Sequence, residues 1–101
     1  MYIGKDLRSK ANTLGLKLYV SKREGKSVLN IYDLEYDRLL CNYDGYGGKF
    51  IRGRHKILRR EAFLALPIVL TKYKHIHELL EVMHDIVKAE KAANNLQLPG
   101  L

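Results

Sequence analysis

The stretch Leu16-Lys17-Leu18-Tyr19-Val20-Ser21-Lys22-Arg23-Glu24-Gly25-Lys26 decides the fold. Apolar and polar residues alternate from Leu16 to Ser21, the period of an extended strand with one face buried. Leu16, Leu18 and Val20 are expected to face a core, and Lys17, Tyr19 and Ser21 to face outward. Arg23-Glu24-Gly25-Lys26 then turns the chain, because Gly25 tolerates the positive φ that tight hairpin turns demand. A second, antiparallel strand is predicted over 27–34, through Val28, Leu29, Ile31 and Tyr32. Glu35-Tyr36-Asp37 is a polar turn, and 38–43 forms a third strand through Leu39, Leu40 and Cys41. Neither later strand alternates cleanly, so the register of residues 27–43 stays open.

Upstream, Leu7, Ala11 and Leu14 share one face of a helix over 5–14, with Gly15 placed as its left-handed cap. Downstream, a glycine-rich loop leads into a basic segment that is expected to become helical from about His55 to Leu66, where Pro67 stops it. Tyr73, Ile76, Leu79, Leu80, Met83, Ile86 and Val87 then make a continuous apolar stripe at helical spacing, with Thr71 as candidate N-cap. The expected fold is α+β: an N-terminal helix, a three-stranded antiparallel meander, then two helices packed on one sheet face. Residues 1–95 are expected to form one compact domain and 96–101 a short C-terminal tail.

The helix–three strands–helix order resembles that of the double-stranded RNA-binding domain. Where that family places a lysine cluster at the start of its last helix, this chain has Lys72 and Lys74 beside histidines, and a further helical segment intervenes. The resemblance is one of element order and assigns no family.

Charge carries the functional argument. The formal net charge is +7. The twelve residues from Lys49 to Arg60 hold Lys49, Arg52, Arg54, Lys56, Arg59 and Arg60, with His55 among them and no acid. The rest of the chain is close to neutral. Arginine and lysine neutralise phosphates. The preceding Tyr43-Asp44-Gly45-Tyr46-Gly47-Gly48 offers exposed backbone and rings for base stacking. The expected function is therefore non-catalytic nucleic-acid binding, DNA or RNA, directed at the phosphate backbone. The contact set is Tyr46, Lys49, Arg52, Arg54, His55, Lys56, Arg59 and Arg60. Lys5, Arg8 and Lys10 of the first helix form a flank, as do Lys17 and Tyr19 on the open sheet face. The alternative is an adaptor or phage-type inhibitor that docks the same basic surface on an acidic or nucleic-acid-binding groove of a larger partner.

Other chemistries find less support. The Gly-x-x-x-x-Gly-Lys-Ser/Thr phosphate loop, Gly-x-Ser-x-Gly and His-Glu-x-x-His are all missing from the sequence. His75, His77 and His84 with Glu81 lack the counterpart set of a helical metal site, so no metal, cofactor or catalytic residue is expected. The lone Cys41 excludes an intrachain disulfide and reads as a small core residue of a reducing cytoplasm. No run reaches the ~18 apolar residues of a membrane span, which points to a soluble, intracellular protein. The apolar stripe of the last helix is core, or alternatively a seam between two copies.

Overall fold

The computed structural model describes residues 2–97, with side chains described as far as residue 93. Helix α1 (Lys5–Thr13) leads into strands β1 (Leu16–Arg23), β2 (Lys26–Asp33), β3 (Arg38–Tyr46) and β4 (Lys49–His55). A short helix α2 (Arg60–Leu64), a two-residue strand β5 (Val69–Leu70) and the long helix α3 (Tyr73–Gln97) follow. The sheet is an antiparallel meander in the order β1-β2-β3-β4-β5. The three-strand expectation is thus corrected to five strands. The helix predicted over 55–66 is reduced to Arg60–Leu64, because β4 runs through His55 and residues 56–59 form an irregular bend before the helix starts. The predicted tail lies, from residue 98 on, outside the described residues, and α3 runs through 96 and 97.

The two long hairpins share one turn geometry. Glu24 and Gly25 connect β1 to β2 with φ of 53° and 79°, and Gly47 and Gly48 connect β3 to β4 with 53° and 81°. Two consecutive positive φ values make the turn whose twist matches paired strands. What reads as a flexible glycine-rich lead-in is therefore the tip of a hairpin, with Tyr46 opposite Lys49.

Two irregularities set which side chains face where. Ile31 pairs with Cys41 but Tyr32 with Leu39, so β3 carries an extra residue there and both Leu40 and Cys41 turn inward. Tyr43 pairs with Arg52 but Cys41 with His55, so Gly53 and Arg54 together oppose Asn42 on a bulge of β4. The amide of Arg54 donates to Asn42 Oδ1 at 3.0 Å, which satisfies a donor the ladder leaves unpaired.

One core lies between the sheet and the helices. Leu16, Leu29, Ile31, Cys41 and Tyr43 meet Leu7 and Ala11 of α1 and Ile76, Leu79, Leu80 and Met83 of α3. The four α3 residues are fully buried within this chain, whereas Tyr73, read as the first member of the stripe, is exposed. Helix α2 ends at Leu64, three residues short of Pro67, and the Tyr43 hydroxyl donates to the Pro67 carbonyl at 2.6 Å. Gly15 caps α1 at φ 75°. Just ahead of α3, the His75 Nδ1 accepts the amides of Thr71 and Lys72, at 3.1 and 3.2 Å, and so ties the entering chain to the first turn. Among the described residues, no helix is long and apolar enough to cross a membrane.

Candidate functional site

Strand alternation and the β4 bulge divide the basic segment between the two faces of the sheet. Arg52 points to the helical side. Its Nη1 donates to the carbonyls of Phe63, Leu64 and Leu66 at 3.3, 3.0 and 2.9 Å, and its guanidinium lies 5.1 Å from the Phe63 ring centroid. It closes the C-terminal end of α2, where carbonyls lack helical partners. His55 also turns that way, stacked on Phe63 at 4.7 Å and donating from Nδ1 to Leu58 O at 2.7 Å.

Arg59 precedes α2 with its Nε 3.9 Å from Glu90 Oε1. Lys56 and Arg60 are exposed beyond the end of β4. Of the expected contact set, only Tyr46, Lys49 and Arg54 stand on the face away from the helices. The flank divides as well. Lys10 lies 3.7 Å from Glu81 on α3, and Lys5 and Arg8 sit on α1 beside Tyr2 and Asn12. Lys17 and Tyr19 stand on the open face, as the alternation of β1 requires.

That open face gathers residues from four strands. The register sets Lys17 opposite Tyr32, Tyr19 opposite Asn30, and Asn30 opposite Asn42. Arg23 and Lys26 flank the first turn, and Tyr46 and Lys49 flank the second. Lys26 Nζ donates to the Tyr46 hydroxyl at 3.0 Å and lies 4.1 Å from its ring centroid. The hydrogen bond raises Lys26 above the ordinary lysine range and lowers Tyr46 below the ordinary tyrosine range. Lys17 lies 5.9 Å over Tyr32.

Asn30 forms the floor of this face. It is 8 % exposed, and its Nδ2 donates to Tyr19 O, Ser21 Oγ and Val28 O. Arg23, Glu24, Lys26, Val28, Asp44, Tyr46 and Arg54 enclose a shallow cavity of about 230 Å³. None of Arg23, Lys26, Lys49 and Arg54 forms an ion pair among the described residues. The face thus holds five cations, three tyrosines and the central acid Asp44.

Lys26, Arg23 and Tyr32 were not in the expected contact set. The signal for Lys26 is the hairpin turn itself, but pairing it with Tyr46 needs the β2–β3 register, which the sequence leaves open. A second group was missed at the opposite end of the sheet, on the helical side. Asp33, 1 % exposed, accepts from Lys91 Nζ at 2.9 Å and from the Tyr36 amide at 3.2 Å. Lys91 also reaches Glu35 at 3.0 Å. Asp33 and Lys91, with Arg38, Arg59 and Glu90, line a cavity of about 180 Å³. Glu90 Oε1 is buried there without a hydrogen-bond partner.

Cys41 pairs across the ladder with His55, but the two do not form an activated thiol–imidazole pair. Burial pushes the Cys41 thiol up to about 12, away from thiolate character, and His55 is engaged by Leu58 and Phe63. His84 Nδ1 donates to Leu14 O at 3.0 Å and so ties α3 to the end of α1. Comparison of the chain with protein-family models, with curated proteins and with solved structures finds no match.

Proposed function

We propose that this protein is a non-catalytic nucleic-acid-binding protein whose contact surface is the helix-free face of the sheet. One observation carries the reading. Lys17, Arg23, Lys26, Lys49 and Arg54 come from three strands to a single face, interleaved with Tyr19, Tyr32 and Tyr46 of β1, β2 and β3. Unpaired cations on a surface with accessible rings suit a polymer of phosphates and bases. The revised contact set keeps Tyr46, Lys49, Arg54, Lys17 and Tyr19 and adds Lys26, Arg23 and Tyr32. Arg52 and His55 act instead as internal braces, and Lys56, Arg59 and Arg60 belong to the rim.

Titration of fluorescent RNA and DNA at two salt concentrations tests the reading. Binding should weaken with salt, with a slope of roughly 0.7–0.9 per phosphate contact. Replacing Lys26, Lys49 and Arg54 together by Ala should weaken binding at least tenfold and reduce the slope by about 2. Replacing Arg59 and Arg60 by Ala should change both far less. Absence of binding at low salt, or equal losses from the two sets, refutes this assignment. A pull-down from the native host with nuclease treatment gives the second arm. A partner retained after digestion would replace nucleic acid with an acidic protein surface as the occupant of the face.

A further inference from the structure

We infer that the nucleic acid accepted by the open face is single-stranded, with unpaired bases laid on Tyr19 and Tyr46 and the backbone passing over Lys26, Lys49 and Arg54. The inference rests on the nucleic-acid reading above and narrows it to one class of ligand.

Tyr19 and Tyr46 are 51 % and 54 % exposed, although both lie within strands. A duplex hides the faces of its bases and presents only backbone and groove edges, so exposed rings give a duplex binder little. Unpaired bases stack on such rings whatever their sequence. Tyr46 is prepared for this role. Lys26 lies on its ring at 4.1 Å and bonds its hydroxyl at 3.0 Å, which fixes the ring's orientation. A base stacked against it would therefore meet a ring already held in place, with a cation beside the adjoining phosphate.

The separation of the two rings fits a short run of extended nucleotides. Tyr19 pairs with Asn30 and Asn30 with Asn42, so Tyr46 lies two strands across and four residues along from Tyr19. Strand spacings of roughly 4.8 Å across and 3.4 Å per residue along put the two positions about 17 Å apart. Asp44 stands within the face, bordered by Lys26 and Arg54 in the same cavity. A carboxylate repels phosphate but accepts from the amino groups of bases. This arrangement sets bases inward over Asp44 and phosphates outward over the cations.

Fluorescence anisotropy with a labelled mixed-sequence 12-mer, free or annealed to its complement, as DNA and as RNA, tests the inference. The single strand should bind at least tenfold more tightly than the duplex. Tyr19→Leu and Tyr46→Leu should each weaken single-strand binding about five- to tenfold and leave the salt slope unchanged. Tyr19→Phe should restore most of that loss, and circular dichroism should show the same fold in every variant. Duplex binding equal to or tighter than single-strand binding, unaffected by the tyrosine variants, overturns this inference and leaves the broader nucleic-acid reading standing. No binding to either form overturns both.

Discussion

The two faces of the sheet treat charge in opposite ways. On the helical face the two most enclosed charged groups have internal partners: Arg52 has three carbonyls of the α2 region, and Asp33 has Lys91 and the Tyr36 amide. On the open face Arg23, Lys49 and Arg54 have no ion-pair partner among the described residues, and Lys26 bonds only to a tyrosine. A charge facing the core must be hydrogen-bonded because desolvation is costly. A charge facing water carries no such requirement and stays available to a ligand. Arg52 and Arg54 are two residues apart in one basic run, yet they fall on opposite sides of this division.

The largest test of the contrast is Lys91→Met. It leaves the Asp33 carboxylate, 1 % exposed, without its ammonium. Removing one member of a buried pair costs roughly 3–5 kcal/mol. Because Lys91 is itself about a third exposed, the expected loss is about 2–3 kcal/mol by urea unfolding. The Lys91→Met/Asp33→Asn double variant should recover most of it, and a loss below about 0.5 kcal/mol would show that Asp33 is solvated after all.

The pH dependence of the wild type has two limbs. Burial opposes the charged form of Lys91, but hydrogen bonds to Asp33 and Glu35 outweigh it and raise Lys91 above 10.5. Its stabilisation is full below that value and is lost as pH rises through the folded one. The bond from Lys91 lowers Glu35 below 4.5, so its share is present above 4.5 and is lost as pH falls through the folded value. Lys91→Met should therefore flatten both limbs of a stability–pH profile.

Arg52→Leu against Arg54→Leu sharpens the contrast further. Losing Arg52 strips the carboxyl end of α2 of its donor, and about 2 kcal/mol of stability should go with it. Arg54→Leu removes an exposed side chain while its amide still bonds Asn42, so stability should change by less than about 0.5 kcal/mol. Binding should show the reverse order, with Arg54→Leu the more damaging. Equal effects in both measurements would dissolve the distinction between the faces.

Legibility in the sequence divides along the same lines. The first hairpin was readable because Leu16, Leu18 and Val20 alternate cleanly and Gly25 marks the turn. The second hairpin has the same turn geometry, yet its sequence suggested a loop running into a helix. Tyr43 to Tyr46 carries one glycine and one acid, Gly45 and Asp44, and β4 shows no apolar period because Arg52 and His55 occupy inward positions. Those positions are apolar in an ordinary strand. Here they are polar side chains braced by carbonyls and an aromatic ring, partners that appear only once α2 is in place. In the candidate site, Tyr46, Lys49, Arg54, Lys17 and Tyr19 could be found from charge and alternation alone. Lys26 required the cross-strand register, which Val28-Leu29-Asn30-Ile31 conceals because Val28 and Asn30 are buried on the open face while Leu29 and Ile31 face the core.

The bulge that separates Arg52 from Arg54 gives the subtlest test, through Gly53→Ala. A Cβ at Gly53 would lie 2.7 Å from Asn42 Oδ1, 2.9 Å from Asp44 Oδ2 and 3.2 Å from the Asn42 carbonyl. The two side-chain oxygens can rotate away, but Asn42 Oδ1 is then lost as acceptor for the Arg54 amide. Moving Asp44 also shifts the central acid of the open face relative to Lys26 and Arg54. The stability loss should stay near or below about 1 kcal/mol, the size of one hydrogen bond. Nucleic-acid affinity should fall further than that loss explains, because Arg54 depends on the bulge to point away from the helices. If Gly53→Ala lowers stability and leaves affinity untouched, the bulge serves the fold alone and Arg54 reaches its ligand without it.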